Sequence, residues 1–204
     1  MQDEQLEKEA AALVSAAKGG EISREALRGA VRIMLRAIDP DPRRDGLRDT
    51  PRRVEQAWAH WAGGHEIDPS ALLKTFEEQD YDGIVCQRDI SFSSHCEHHL
   101  APFTGTVTIA YLPVNGRVVG LSKLSRLVDC FARRLQIQER MTRQIADAIK
   151  DNLSPHCAVL VSASHTCIST RGIRVPGTIT STQALRGSFM DDGTLRAEFM
   201  TLVS

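Results

Sequence analysis

In the stretch "REALRGAVRIMLRAI", residues 24 to 38, the apolar positions Leu27, Ala30, Val31, Met34, Leu35 and Ile38 recur at intervals of three and four. That spacing predicts an amphipathic helix, with Ser23 as its N-cap. "DPDPRRDG" breaks the pattern, and Asp49 and Thr50 precede Pro51, a residue favoured at the first position of a helix. Val54, Ala57, Trp58 and Trp61 then predict a buried face, core or subunit contact, that ends at Gly63 and Gly64. From about residue 83 the period shortens. "TVTIAYLP" sets Val107, Ile109 and Tyr111 against Thr106, Thr108 and Ala110, and "VNGRVVG" offers an Asn115-Gly116 turn, so the two predict a β-hairpin. Helical spacing returns in "SKLSRLVDCFARR", with Leu124, Leu127, Val128 and Phe131 inward, and in "QERMTRQIADAIKDNL", with Met141, Ile145 and Ile149 inward. "CAVLVSASHTCI" and "GTITSTQ" read as strands and "TLRAEFMTLV" as a closing helix. A helical region over residues 1–82, followed by strands grouped around a helix pair over residues 83–204, predicts an α+β protein with an antiparallel sheet.

Composition narrows the partners. The 204 residues are 42% hydrophobic and 25% charged, with a formal net charge of -1, which predicts no general affinity for nucleic acid or for an anionic membrane. Any anion site must therefore be local. The opening "MQDEQLEKEAAALVSAAKGG" lacks the apolar core of a signal peptide or anchor, and no later apolar run reaches spanning length, so a cytoplasmic protein is expected. Five cysteines (Cys86, Cys96, Cys130, Cys157 and Cys167) are an odd number without a secretory signal, which argues against a disulfide framework.

The densest chemistry lies in "SSHCEHHLAPF", residues 93 to 103. Cys96 and His99 are three apart, and on a helical turn that spacing aims both side chains the same way. In "SHTC", His165 and Cys167 are two apart, so on a strand they share a face. Cys96, His99 and Cys167 would hold a zinc ion with three ligands and leave a fourth position open, the arrangement of a catalytic site. His98 and His165 would remain as unligated proton carriers. Spacing alone leaves open which of His98 and His99 is the ligand, and whether a fourth protein ligand closes the site as a structural one. His60, His65 and His156 read as surface residues at helix ends or in loops.

"CEHHLAPFTG", "GLSKLSRLVDCFARR", "QIQER" and "SHTCISTRGIR", in this order and spacing, resemble the GTP cyclohydrolase I family, with "DGLRDTPRRV" upstream resembling its helical entry. The likeness spans about residues 45 to 190. It implies a zinc enzyme that converts GTP and water to 7,8-dihydroneopterin triphosphate and formate. Cys96, His99 and Cys167 would be the zinc ligands, and His98 and His165 the acid/base residues. Zinc would activate the water that attacks C8 of guanine, and a histidine would protonate the departing ring nitrogen.

The resemblance implies further roles. Glu139 would accept the guanine N1-H and N2 amino hydrogens on one carboxylate, with Gln138 beside it. Lys123, Arg126 and Arg171 would converge on the triphosphate, with Arg53 reaching in from a neighbouring subunit, and Ser122 would assist at the sugar. Glu97 would orient the site. The implied fold is the tunnelling fold, a four-stranded antiparallel sheet with two helices on one face, assembled as a homodecamer with active sites at subunit boundaries. Three positions depart from the family pattern: His95, Gln56 in place of a lysine, and Leu135 in place of a proline. The rival expectations are a paralogue of the same fold that yields a ring-opened intermediate or serves deazapurine synthesis, and a non-catalytic, zinc-stabilised nucleotide-binding oligomer. A nitrile reductase of the same fold lacks the Cys-Glu-His-His cluster.

Overall fold

The computed structural model describes residue 8, residues 24–78 and residues 81–203. Ser23, expected as a cap, lies outside them. The chain divides into two compact units, Met1–His60 and Trp61–Ser204.

In the first unit, helices α1 (Arg24–Ile38) and α2 (Thr50–Trp61, ending at the boundary) form where the apolar spacing and Pro51 placed them. Val31 and Leu35 of α1 are buried, but Met34 and Ile38, expected in the same stripe, are 49% and 69% exposed. The packed face runs instead through Arg28, Val31 and Leu35. Arg28 donates from Nε and Nη2 to Glu55 Oε2 of α2 at 3.2 and 2.9 Å, and Glu55 is only 1% exposed. A carboxylate is tolerated at such a position because it is paired, and its polarity hides the position from a hydrophobic pattern.

The second unit continues with a 3-10 turn (Gly63–Glu66), helix α3 (Pro69–Leu72), strands β1 (Thr75–Glu77), β2 (Val85–Cys96), β3 (Pro102–Tyr111) and β4 (Arg117–Val119), and helix α4 (Leu121–Ala132). Strand β5 (Leu135–Gln136), helix α5 (Gln138–Asn152), strand β6 (Cys157–His165), helical turn α6 (Thr166–Ser169), strand β7 (Thr180–Arg186) and helices α7 (Ser188–Asp191) and α8 (Gly193–Val203) complete it. The main sheet has the order β5-β2-β3-β6-β7. Its pairs β2-β3, β3-β6 and β6-β7 are antiparallel, and β5 adds two parallel residues beside His95 and Cys96. The expected antiparallel α+β architecture is therefore present.

Strand alternation sorts the two faces. Val107, Ile109, Tyr111, Val159 and Val161 pack with Leu124, Leu127, Met141, Ile145 and Ile149 of α4 and α5 in one core. The intervening Ala110 and Ala158 pack with Phe189 and Phe199 of α7 and α8 in a second, smaller one. Cys130 and Cys157 lie fully buried, and burial pushes the Cys157 thiol up to about 12. These thiols are core atoms. Within β3, a Cβ built on Gly105 would stand 2.0 Å from the Ser162 carbonyl oxygen and 2.7 Å from Ala163 Cα of β6. Backbone cannot yield as a flexible side chain can. Gly105→Ala should therefore separate β3 from β6 and lower stability by about 3 kcal/mol, measured as a shift of the urea midpoint at constant slope.

The predicted hairpin is corrected. β4 pairs with β1, through Thr75↔Val119, Phe76↔Val118 and Glu77↔Arg117, and not with β3. Asn115 and Gly116 do form the turn, both at positive φ (54° and 65°), closed by a bridge between Val114 and Arg117. Pro113 cannot donate to a ladder, so β3 stops at Tyr111, whose hydroxyl instead accepts the Val119 N–H at 3.0 Å.

Candidate metal centre

β2 and β6 flank β3 and run in the same direction, so their C-terminal ends emerge together at one end of the sheet. The pairs His95↔Pro102 and Phe103↔His165 fix this register. After Cys96 the chain makes a tight turn in which Leu100 N–H donates to the Cys96 carbonyl at 2.8 Å, and Leu100 closes it at φ 54°. This turn carries His99 back toward Cys96. After His165 the strand ends, and Cys167 lies on α6, so the expectation that His165 and Cys167 share one strand face is corrected. A helical turn redirects Cys167. Thr166 Oγ1 donates to the Pro102 carbonyl at 2.6 Å and ties that turn to the start of β3.

The outcome is one group. The Cys96 and Cys167 sulfurs and an imidazole nitrogen of His99 lie within 4.8 Å of one another. Zinc bonds of about 2.3 Å to sulfur and 2.0 Å to nitrogen would place tetrahedral ligand atoms about 3.5–3.8 Å apart, so a small contraction closes the group on a cation. Two thiols and one imidazole suit a soft divalent ion, and three ligands leave a tetrahedral position open. Burial, and then the neighbouring Cys96, push the Cys167 thiol up, a tendency that a bound cation would reverse.

The other expected residues take distinct places. His98 is exposed, with Nδ1 3.8 Å from Cys96 Sγ, and stands outside the three-residue group. His165 stacks on Phe103 with ring centroids 4.6 Å apart and 4° between planes. Its pKa is lowered by burial, against an opposing effect of the Glu139 charge. Gln138 is 2% exposed, and its Oε1 lies 2.8 Å from His165 Nε2. Its Nε2 faces three acceptors, the Val161 and Thr180 carbonyls and Thr182 Oγ1, at 3.1, 2.9 and 3.2 Å. The amide oxygen must then accept, which assigns the proton of neutral His165 to Nε2. Glu139 is exposed on the first turn of α5. Ser122, Lys123 and Arg126 lie on the opening turns of α4, and Arg171 is exposed after α6. Arg53 belongs to the other unit, 3.7 Å from Asp49.

Several contacts had no sequence signal. Arg140 forks onto Glu97, from Nη1 to Oε2 at 2.5 Å and from Nη2 to Oε1 at 3.0 Å, across 43 residues. His95 is buried with its ring 4.6 Å from that of Trp61, a use the departure from the family pattern did not reveal. Trp61 itself is 40% exposed. His156, expected at the surface, is half-buried and accepts the Ser188 N–H on Nδ1 at 3.1 Å.

Fold and site together define an α+β protein equipped to hold one soft divalent cation beside two further histidines. The family model for GTP cyclohydrolase I matches residues 27–204. A protein of Nitrosospira multiformis named GTP cyclohydrolase 1 is 50% identical over 172 residues, covering 83% of this chain and 90% of its own. Proteins of the same name from Janthinobacterium sp. and Bacillus pumilus are 50% and 44% identical, covering 84% and 90% of this chain and 87% and 97% of their own. The chain belongs to the GTP cyclohydrolase I family and is an enzyme of that type.

Proposed function

We propose that the protein converts GTP and water to 7,8-dihydroneopterin triphosphate and formate, the entry step to tetrahydrofolate and other pterins. The observation that supports this most is the convergence of Cys96, His99 and Cys167 in a chain of this family. A zinc ion held by those three residues would supply the Lewis acidity that makes water a nucleophile at neutral pH.

The chain's own residues do the rest. Glu139 accepts the guanine N1-H and N2 hydrogens and fixes which edge of the base enters. His165, held through Nε2–H by Gln138, presents Nδ1 as the atom that moves protons, and His98 moves a second proton at the exposed side of the turn. This gives Gln138 a positioning role, in addition to its place next to Glu139. Lys123, Arg126 and Arg171 bind the triphosphate, with Arg53 from a neighbouring subunit, and Ser122 acts at the sugar. The catalytic domain, in the tunnelling fold, is the sequence-based span of residues 83–204. The active form is a cytoplasmic homodecamer. Among the described residues no helix is long and apolar enough to cross a membrane.

Mass spectrometry of the products from GTP and zinc-loaded protein tests this proposal. Dihydroneopterin triphosphate with one formate per GTP is expected. An accumulating ring-opened or formylated species would assign the chain to the truncated reaction, and intact GTP would remove the catalytic role.

A further inference from the structure

The two segments that carry the metal-binding side chains are far apart in sequence, yet both are tied to the same five residues, Gln136 to Arg140. On one side, Glu97 donates its N–H to the Gln136 carbonyl at 3.0 Å, and its carboxylate receives both Arg140 Nη atoms at 2.5 and 3.0 Å. On the other, Gln138 holds His165, two residues before Cys167, at 2.8 Å. Glu139 lies between these two clasps on the first turn of α5. The turn they support is not a relaxed one, since it closes on Leu100 at φ 54°, a conformation disfavoured for a branched side chain.

We propose that Arg140 is a positioning residue for the metal centre: its two-pronged grip on Glu97 holds the Cys96–His99 turn in its metal-binding shape and fixes that turn to the helix end that carries Glu139. A planar guanidinium spanning both carboxylate oxygens fixes orientation as well as distance, which a single ammonium cannot do. Partners one shell beyond the ligands commonly control metal affinity in this way. The inference rests on Cys96, His99 and Cys167 being the metal ligands.

The test loads wild type, Arg140→Met, Glu97→Gln and the double variant with Co2+ as a visible stand-in for zinc. Chelator competition gives the affinity, and the visible absorption band reports the ligand geometry. Each single variant should lose about tenfold in cobalt affinity and show an altered band. The double variant should be no worse than the weaker single, because both remove one interaction. Arg140→Lys should recover only part of the loss. The Glu97→Gln variant keeps the shape of the side chain, so its result stands even if Arg140→Met folds poorly. A lower melting temperature with wild-type cobalt affinity and spectrum would overturn the inference, as would single effects that multiply in the double variant. Failure of the wild type itself to bind cobalt would instead overturn the ligand assignment on which the inference rests.

Discussion

Cys167→Ala should leave the protein without zinc and without turnover, and Cys96→Ala should do the same. On the proposed assignment each thiol is one of three ligands whose atoms lie within 4.8 Å, and two ligands cannot retain an ion against bulk water and chelators. Because substitution of an outer partner already costs about 10–100-fold in metal affinity or activity, loss of a ligand should exceed that range. Zinc content by atomic emission and formate release on the same preparation check the two effects together. Cys96 belongs to the core around α4 and α5 and Cys167 packs against it, so each truncation should cost some stability. The other members of that core remain in place, so a native far-ultraviolet circular dichroism spectrum is expected.

His165→Ala should have the opposite signature: zinc retained while turnover falls about 10²–10⁴-fold, the range for loss of a positioned proton carrier. The imidazole is clamped on one side by the Phe103 ring at 4.6 Å and at Nε2 by the Gln138 amide oxygen at 2.8 Å, so its place does not depend on a metal bond. His98→Ala should likewise keep zinc and lose turnover. Equal zinc loss in the cysteine and histidine variants would overturn the division between ligands and proton carriers.

The elements that form were legible wherever one periodicity ran uninterrupted. The stripes of α4 and α5, the alternation of β3 and β6 and the Asn115-Gly116 turn each rest on local chemistry, and each stands in the structure. What the sequence hid was non-local or polar. The partner of β4 is β1, about 40 residues upstream, and no short-range rule reports that. Glu55 is buried because Arg28 of another helix reaches it, which an apolar pattern reads as an exposed position. In the candidate site, Cys96 and Cys167 stood out because soft ligands are rare and each lies close to a histidine, while the choice of His99 over His98 came from the family resemblance. The contacts that hold the site in shape did not stand out: Arg140 looks like a surface residue on a polar helix start, and Gln138, expected beside Glu139, gives no sign of its bond to His165 until the sheet brings Glu97 and His165 to them.

The most direct measurement is formate release as metal-free protein is titrated with zinc at saturating GTP. Turnover should rise in proportion to bound zinc, level off at about one ion per chain, and give one formate for each GTP consumed. Formate release that is unchanged by zinc removal, or intact GTP at full zinc occupancy, would contradict the assignment of this site to the reaction.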